Sequence, residues 1–106
     1  MRINREDVFG PVASVIRGGD LEEALAVAND VPFGLCAGIT SGSLGHTNEF
    51  QRRAEADMVM VNLPAAGVPH HVLFGGRKAP GYGPRELGSY AIEFQTVVKT
   101  AYVNAR

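Results

Sequence analysis

Asp20-Leu21-Glu22-Glu23-Ala24-Leu25-Ala26-Val27-Ala28-Asn29-Asp30-Val31-Pro32-Phe33-Gly34-Leu35 is the stretch whose reading decides the fold. Asp20 stands where an N-cap belongs, and Glu23 follows at capping-box spacing. Leu21, Ala24, Leu25, Ala28 and Val31 recur with helical periodicity, which predicts an amphipathic helix over about 20–31. Glu22 and Glu23 fall in its first turn, where carboxylates meet the positive end of the helix dipole. Pro32 and Gly34 end it.

Working outward, Phe9-Gly10-Pro11 reads as a turn, and the β-branched run Val12-Ala13-Ser14-Val15-Ile16, closed by Gly18 and Gly19, predicts a short buried strand. On the other side, Leu35 to Thr40 predicts a second strand. Ser43 is placed to cap a helix over about 43–56, with Leu44, Phe50 and Ala54 on one face. Gly45 weakens its first turn by roughly 1 kcal/mol relative to alanine. Met58-Val59-Met60-Val61 is apolar without alternation, as in a strand covered on both faces. Strand, helix, strand, helix, strand implies an α/β chain: a partial three-layer unit with a short, mostly parallel sheet and right-handed crossovers.

After Asn62 the character changes. Residues 63–84 are rich in turn formers, Pro64, Gly67, Pro69, Gly75, Gly76, Pro80 and Gly81 among them, and show little periodicity. Loops of that length inside a compact domain are usually functional or disordered. Arg85 to Ala91 has the composition of a short helix, and residues 94–103 that of a final extended strand.

The bulk numbers limit the function classes. With 106 residues there is room for one small domain. A net charge of -1 gives no electrostatic reason for a nucleic-acid or acidic-membrane partner. No apolar run approaches the ~20 residues needed to span a bilayer, and Met1-Arg2-Ile3-Asn4-Arg5-Glu6-Asp7 lacks the apolar core of a secretory signal. The single cysteine fits a reducing, cytoplasmic setting.

No catalytic set emerges from the residues themselves. Cys36 sits among small and apolar neighbours with no base nearby in sequence, as a core thiol would. His70-His71 has no further ligand at chelating spacing, so no metal site is expected, and His46 reads as a helix surface residue. Phe74-Gly75-Gly76-Arg77-Lys78 lacks the spacing of a phosphate loop.

Several motifs, taken together and in register, supply the missing context. They are Glu6-Asp7-Val8-Phe9-Gly10-Pro11-Val12, the Ala28-Asn29-Asp30 run ending at Leu35, Met58-Val59-Met60-Val61-Asn62, Phe74-Gly75-Gly76-Arg77-Lys78, Gly83-Pro84-Arg85-Glu86-Leu87-Gly88 and Phe94-Gln95-Thr96-Val97-Val98-Lys99-Thr100. In order and spacing they resemble the carboxy-terminal part of NAD(P)-dependent aldehyde dehydrogenases, so residues 1–106 are expected to form part of such a catalytic domain. Met58 to Pro64 followed by Ala66-Gly67-Val68 looks most like the branch acting on semialdehydes such as α-ketoglutaric semialdehyde.

The resemblance implies an oxidation of aldehyde to acid through a cysteine thiohemiacetal, with hydride passing to NAD or NADP and a glutamate base assisting thioester hydrolysis. It places the nucleophile, the base and the dinucleotide-binding domain upstream of the region represented here. Cys36 corresponds to a position commonly held by serine or alanine and does not inherit the catalytic role. By the same carry-over, Asp7 replaces the glutamate that meets the nicotinamide ribose hydroxyls, one methylene shorter, and Phe9 borders the nicotinamide. Phe74 matches an aromatic lining the aldehyde tunnel, while residues 63–72 match the variable loop that shapes it. Asp7 as a turn carboxylate and Phe74 as a core anchor are the plainer alternatives. Arg85 and Glu86 resemble a structural pair of the family. Two departures stand out: Leu73 where proline usually precedes Phe-Gly-Gly, and Asp57 where glycine usually precedes Met-Val-x-Val-Asn. Aspartate tolerates a positive φ less well than glycine, should position 57 require one.

Two expectations follow. One is a segment of a working dehydrogenase, excised or half of a split enzyme, inactive alone. The other is a non-catalytic remnant or oligomerisation module, favoured as a short chain by Met1 and by the absence of upstream motifs. In either case the resemblance gives residues 94–103 an oligomerisation role: pairing with a sheet edge in another copy, or in a complementary dehydrogenase chain, by β-augmentation.

Overall fold

The computed structural model describes residues 2–79, 81 and 83–104; Pro80, one of the turn formers of the long loop, lies outside them. After a short 3-10 turn over Arg2–Asn4, the elements in chain order are α1 (Leu21–Asn29), β1 (Phe33–Gly34), β2 (Cys36–Ile39), α2 (Leu44–Arg53), β3 (Met58–Val61), β4 (Arg77–Lys78) and α3 (Tyr90–Gln95).

The decisive stretch folds as its pattern dictates. Asp20 is extended (φ -153°) and accepts a hydrogen bond from the Glu23 amide at 2.9 Å, while Glu23 reaches back to accept from the Gly19 amide at 2.8 Å. Two of the unpaired donors at the helix start are thereby satisfied. At the other end Lys78 Nζ donates to the Asn29 and Val31 carbonyls at 2.6 and 3.1 Å, placing a cation where the helix dipole favours one. Ser43 caps α2 by accepting from the His46 amide at 3.3 Å.

β2 and β3 pair in parallel, Cys36 opposite Met58 through Ile39 opposite Val61, with α2 as the crossover between them. Strand side chains alternate between faces. Ala37, Ile39 and Val59 turn toward the helices and pack against Leu25, Phe50 and Ala54. Every buried residue among those described lies between Leu25 and Ala56. Thr47 and Phe50, not Leu44, fill the inner face of α2; Leu44, the first residue of the helix, is exposed. A second ladder, β1 antiparallel to β4, joins the long loop to the unit.

Three expected elements differ. Residues 12–16 join no ladder among the described residues, and Val15 is 96% exposed. A strand exists through the partner that receives its hydrogen bonds, and an apolar run by itself supplies none. The short helix falls at Tyr90–Gln95 instead of 85–91, because Leu87 (φ 62°) and Gly88 (φ 55°) adopt the left-handed conformation that interrupts a right-handed helix. The expected strand over 94–103 therefore loses its first two residues to α3. Thr96 is extended (φ -130°), and residues 96–104 join no ladder among the described residues. The fold class stands: a small α/β unit with a short sheet, its parallel part built from β2 and β3.

Candidate functional site

The face of the parallel sheet turned away from the helices carries Cys36, Met58 and Met60. Cys36 Sγ lies 3.4 Å from Met60 Sδ. Gly38 belongs to the same face and looks onto the start of the long loop: a Cβ there would stand 3.7 Å from Ala65 Cβ. Between this face and the loop is a cavity of about 430 Å³, bordered by Cys36, Met58, Val68, Phe74, Glu86 and Leu87 among others. Its walls are largely apolar, with Glu86 the acidic residue among those that line it.

Phe74 is half-buried and held from both sides. Its amide donates to the Glu86 carbonyl at 2.9 Å and its carbonyl accepts from the Glu86 amide at 2.8 Å, an isolated antiparallel bridge. One residue earlier, Arg85 donates through Nη1 to the Gly76 carbonyl at 3.1 Å and through Nη2 to Asp57 Oδ1. Its side chain lies across Gly75 so closely that a Cβ there would come within 2.6 Å of Arg85 Cδ and Nη1. A side chain at position 75 would push the arginine aside. Arg77 Nε stands 3.6 Å from the same Asp57 oxygen. Arg85 and Glu86 brace the turn that carries Phe74.

Asp57 is not at positive φ, so the anticipated backbone strain does not arise. Its amide donates to the Gly34 carbonyl at 3.0 Å, fixing it to the sheet, and its side chain is only 13% exposed. The pairing of Asp57 with Arg85 was not legible in the sequence: the residues are 28 apart and no local pattern links them.

Cys36 is half-buried, and burial pushes its thiol up from the ordinary cysteine range. A thiolate nucleophile needs the opposite shift. His70 and His71 are exposed and stack edge to face, ring centroids 5.6 Å apart. His46 lies on the exposed side of α2. Among the described residues no group of three His, Cys, Asp or Glu is placed to hold a metal ion. Asp7 and Phe9 lie on the segment preceding α1. Asp7 is exposed and forms no ion pair among the described residues, and Phe9 is 94% exposed. Neither borders the cavity beneath Phe74, so the structure does not bring the three expected contact residues into one pocket.

Residues 1–101 match the model of the aldehyde dehydrogenase family. The chain is 44% identical over 103 residues to an alpha-ketoglutarate semialdehyde dehydrogenase of Haloferax volcanii, covering 96% of this chain and 21% of the relative. It also resembles solved structures. Against HpcC from Thermus thermophilus the TM-score is 0.84 at 34% identity, over 100% of this chain and 22% of that one. Against betaine aldehyde dehydrogenase from Staphylococcus aureus in complex with NAD+ it is 0.82 at 33% identity, over 89% and 18% respectively. The chain belongs to the aldehyde dehydrogenase family. It spans about a fifth of the length of the curated relatives it matches. No helix among the described residues is long and apolar enough to cross a membrane.

Proposed function

We propose that this chain supplies one wall of an aldehyde- and NAD(P)-binding site that oxidises a semialdehyde, such as α-ketoglutaric semialdehyde, to the acid in the cytosol. The carrying observation is Phe74, bridged through its backbone to Glu86 and lining a largely apolar cavity of about 430 Å³. An aromatic so placed packs against the carbon chain of an aldehyde and excludes water from the reacting carbonyl. Similarity to an alpha-ketoglutarate semialdehyde dehydrogenase supports the substrate class.

The residues present fit a dinucleotide in chemistry. The exposed Asp7 carboxylate, unpaired among the described residues, can accept from ribose hydroxyls, and the exposed Phe9 ring offers an apolar border for a nicotinamide. When bound, NAD(P) supplies the hydride acceptor. The contribution of these residues is orientation and exclusion of water.

These 106 residues by themselves are not expected to turn over an aldehyde. Cys36, with a half-buried thiol raised in pKa and hydrogen-bonded to Met60, is a packing residue. The test is oxidation of α-ketoglutaric semialdehyde by the purified chain, alone and with a complementary dehydrogenase half, followed as NAD(P)H formation. Turnover by the chain alone that disappears in Cys36→Ala would overturn the assignment. A second reading, an association module, is favoured by Val97, Val98, Tyr102 and Val103, each more than 90% exposed. Solution mass separates the two: a homo-oligomer dispersed by Val98→Lys supports association through residues 94–103.

A further inference from the structure

We propose that Asp57 is a positioning residue for Phe74, acting through Arg85 as a charged strut between the sheet and the cavity wall. The proposal deepens the functional reading above, in that it concerns the same aromatic wall. Three observations carry it. The carboxylate is fixed at its base, because Asp57 enters β3 with its amide bonded to the Gly34 carbonyl at 3.0 Å. It is little exposed and faces two guanidinium groups, Arg85 by direct hydrogen bond and Arg77 at 3.6 Å. Arg85 in turn grips the Gly76 carbonyl at 3.1 Å and immediately precedes Glu86, whose backbone pairs with Phe74 in both directions.

The chain of contacts therefore runs from sheet to carboxylate to guanidinium to the turn on which Phe74 sits. A charge-assisted hydrogen bond is directional, so it sets where the turn lies as well as that it is held. Without the carboxylate, Arg85 keeps a positive charge in a half-buried place with a backbone carbonyl alone to receive it. Its long side chain then gains more by turning to water than by lying across Gly75. The bridge of Phe74 to Glu86 loses its brace, and the ring loses its single orientation.

The test uses the full chain labelled with fluorophenylalanine, its Phe74 line assigned by Phe74→Leu, together with amide hydrogen exchange. In Asp57→Asn, and equally in Asp57→Gly, exchange at Phe74 and Glu86 is expected to rise at least tenfold and the Phe74 fluorine line to shift toward its value in denaturant. The Phe50 and Val59 amides should stay protected. Arg85→Gln should give the same signature, and the double variant Asp57→Asn with Arg85→Gln should be no worse than Arg85→Gln alone. Unchanged exchange and fluorine lines, additive losses in the double variant, or loss of core protection in both Asp57 variants would each overturn the proposal. Adding α-ketoglutaric semialdehyde to the unsubstituted chain assembled with a complementary dehydrogenase half tests the functional reading separately. If the Phe74 line ignores the aldehyde while the Asp57 variants still loosen it, the strut stands and the substrate assignment falls.

Discussion

Residues 20–62 and residues 63–104 are stretches of similar length held in place by different physics. The first is a helix–sheet unit whose local signals agree with its packing: a capped α1, a capped α2, and two paired strands closing over Leu25, Phe50 and Ala54. The second buries no side chain among its described residues. It is tied down by β4, by the Phe74–Glu86 bridge and by Arg85 reaching back to Asp57. Apolar contact stabilises the first region; a few directional bonds shape the second. A binding wall can be rebuilt by changing such bonds without rebuilding the core, whereas the core admits little change in volume.

The contrast can be broken most forcefully at Leu25, the most deeply buried side chain at 2% exposure. Leu25→Ala is expected to cost about 2–5 kcal/mol in denaturant unfolding. Phe74→Ala should cost much less, since a half-buried ring leaves no closed cavity. Equal losses would erase the distinction between the regions.

Glycines sharpen it next. A Cβ at Gly34 would lie 2.7 Å from the Glu55 carbonyl and 3.0 Å from that of Arg77, both backbone. Gly34→Ala should therefore destabilise by roughly 1–3 kcal/mol, as overpacking does. At Gly75 the obstacle is the Arg85 side chain, which can swing away. Gly75→Ala should leave the unfolding midpoint nearly unchanged while raising hydrogen exchange at Phe74. A midpoint shift matching that of Gly34→Ala would show that the turn belongs to the cooperative core.

Smaller effects come from the helix start. Asp20→Ala removes the oxygen that receives the Glu23 amide and should cost about 1 kcal/mol. The smallest come from surface charge. Arg53 hydrogen-bonds both Glu22 and Glu49, and these bonds hold the two carboxyls below the usual carboxylate range. A carboxyl with a depressed folded pKa adds stability above its unfolded pKa, which is lost as pH falls through the folded value. The pair being exposed, the effect should be slight and should vanish at high salt. Arg53→Gln should flatten this part of the acid dependence; an unaltered acid profile would deny the network any role.

Much of the first region was legible in the residues themselves. Asp20 with Glu23 announced a helix start, and the periodic Leu21, Leu25 and Ala28 marked its extent to within two residues of the observed end. Met58 to Val61 reads as a strand covered on both faces and forms a strand, half-buried along its length. The same reasoning fails at 12–16, where a β-branched run joins no ladder among the described residues, and it starts the final extended segment two residues early, since Phe94 and Gln95 belong to α3. Composition reports only that a segment suits a pleated surface. In the wall, the motif pattern marked Phe74 and the Arg85–Glu86 pair. It marked Asp57 only as a departure, with backbone strain as the concern. Leu87 and Gly88, whose left-handed conformation displaced the third helix, carried no sign that Leu87 would join the glycine.

By itself, then, the sequence determined what is local and periodic: the caps, both long helices, the β2 and β3 strands, and through its ordered motifs the family. The tertiary structure alone decided which runs found a hydrogen-bonding partner and which carboxylate met which guanidinium. The physical reason is range. A cap or an amphipathic face is written within one or two turns of chain, while the ladder of β1 with β4 and the strut from Asp57 to Arg85 join residues brought together only after the core has closed.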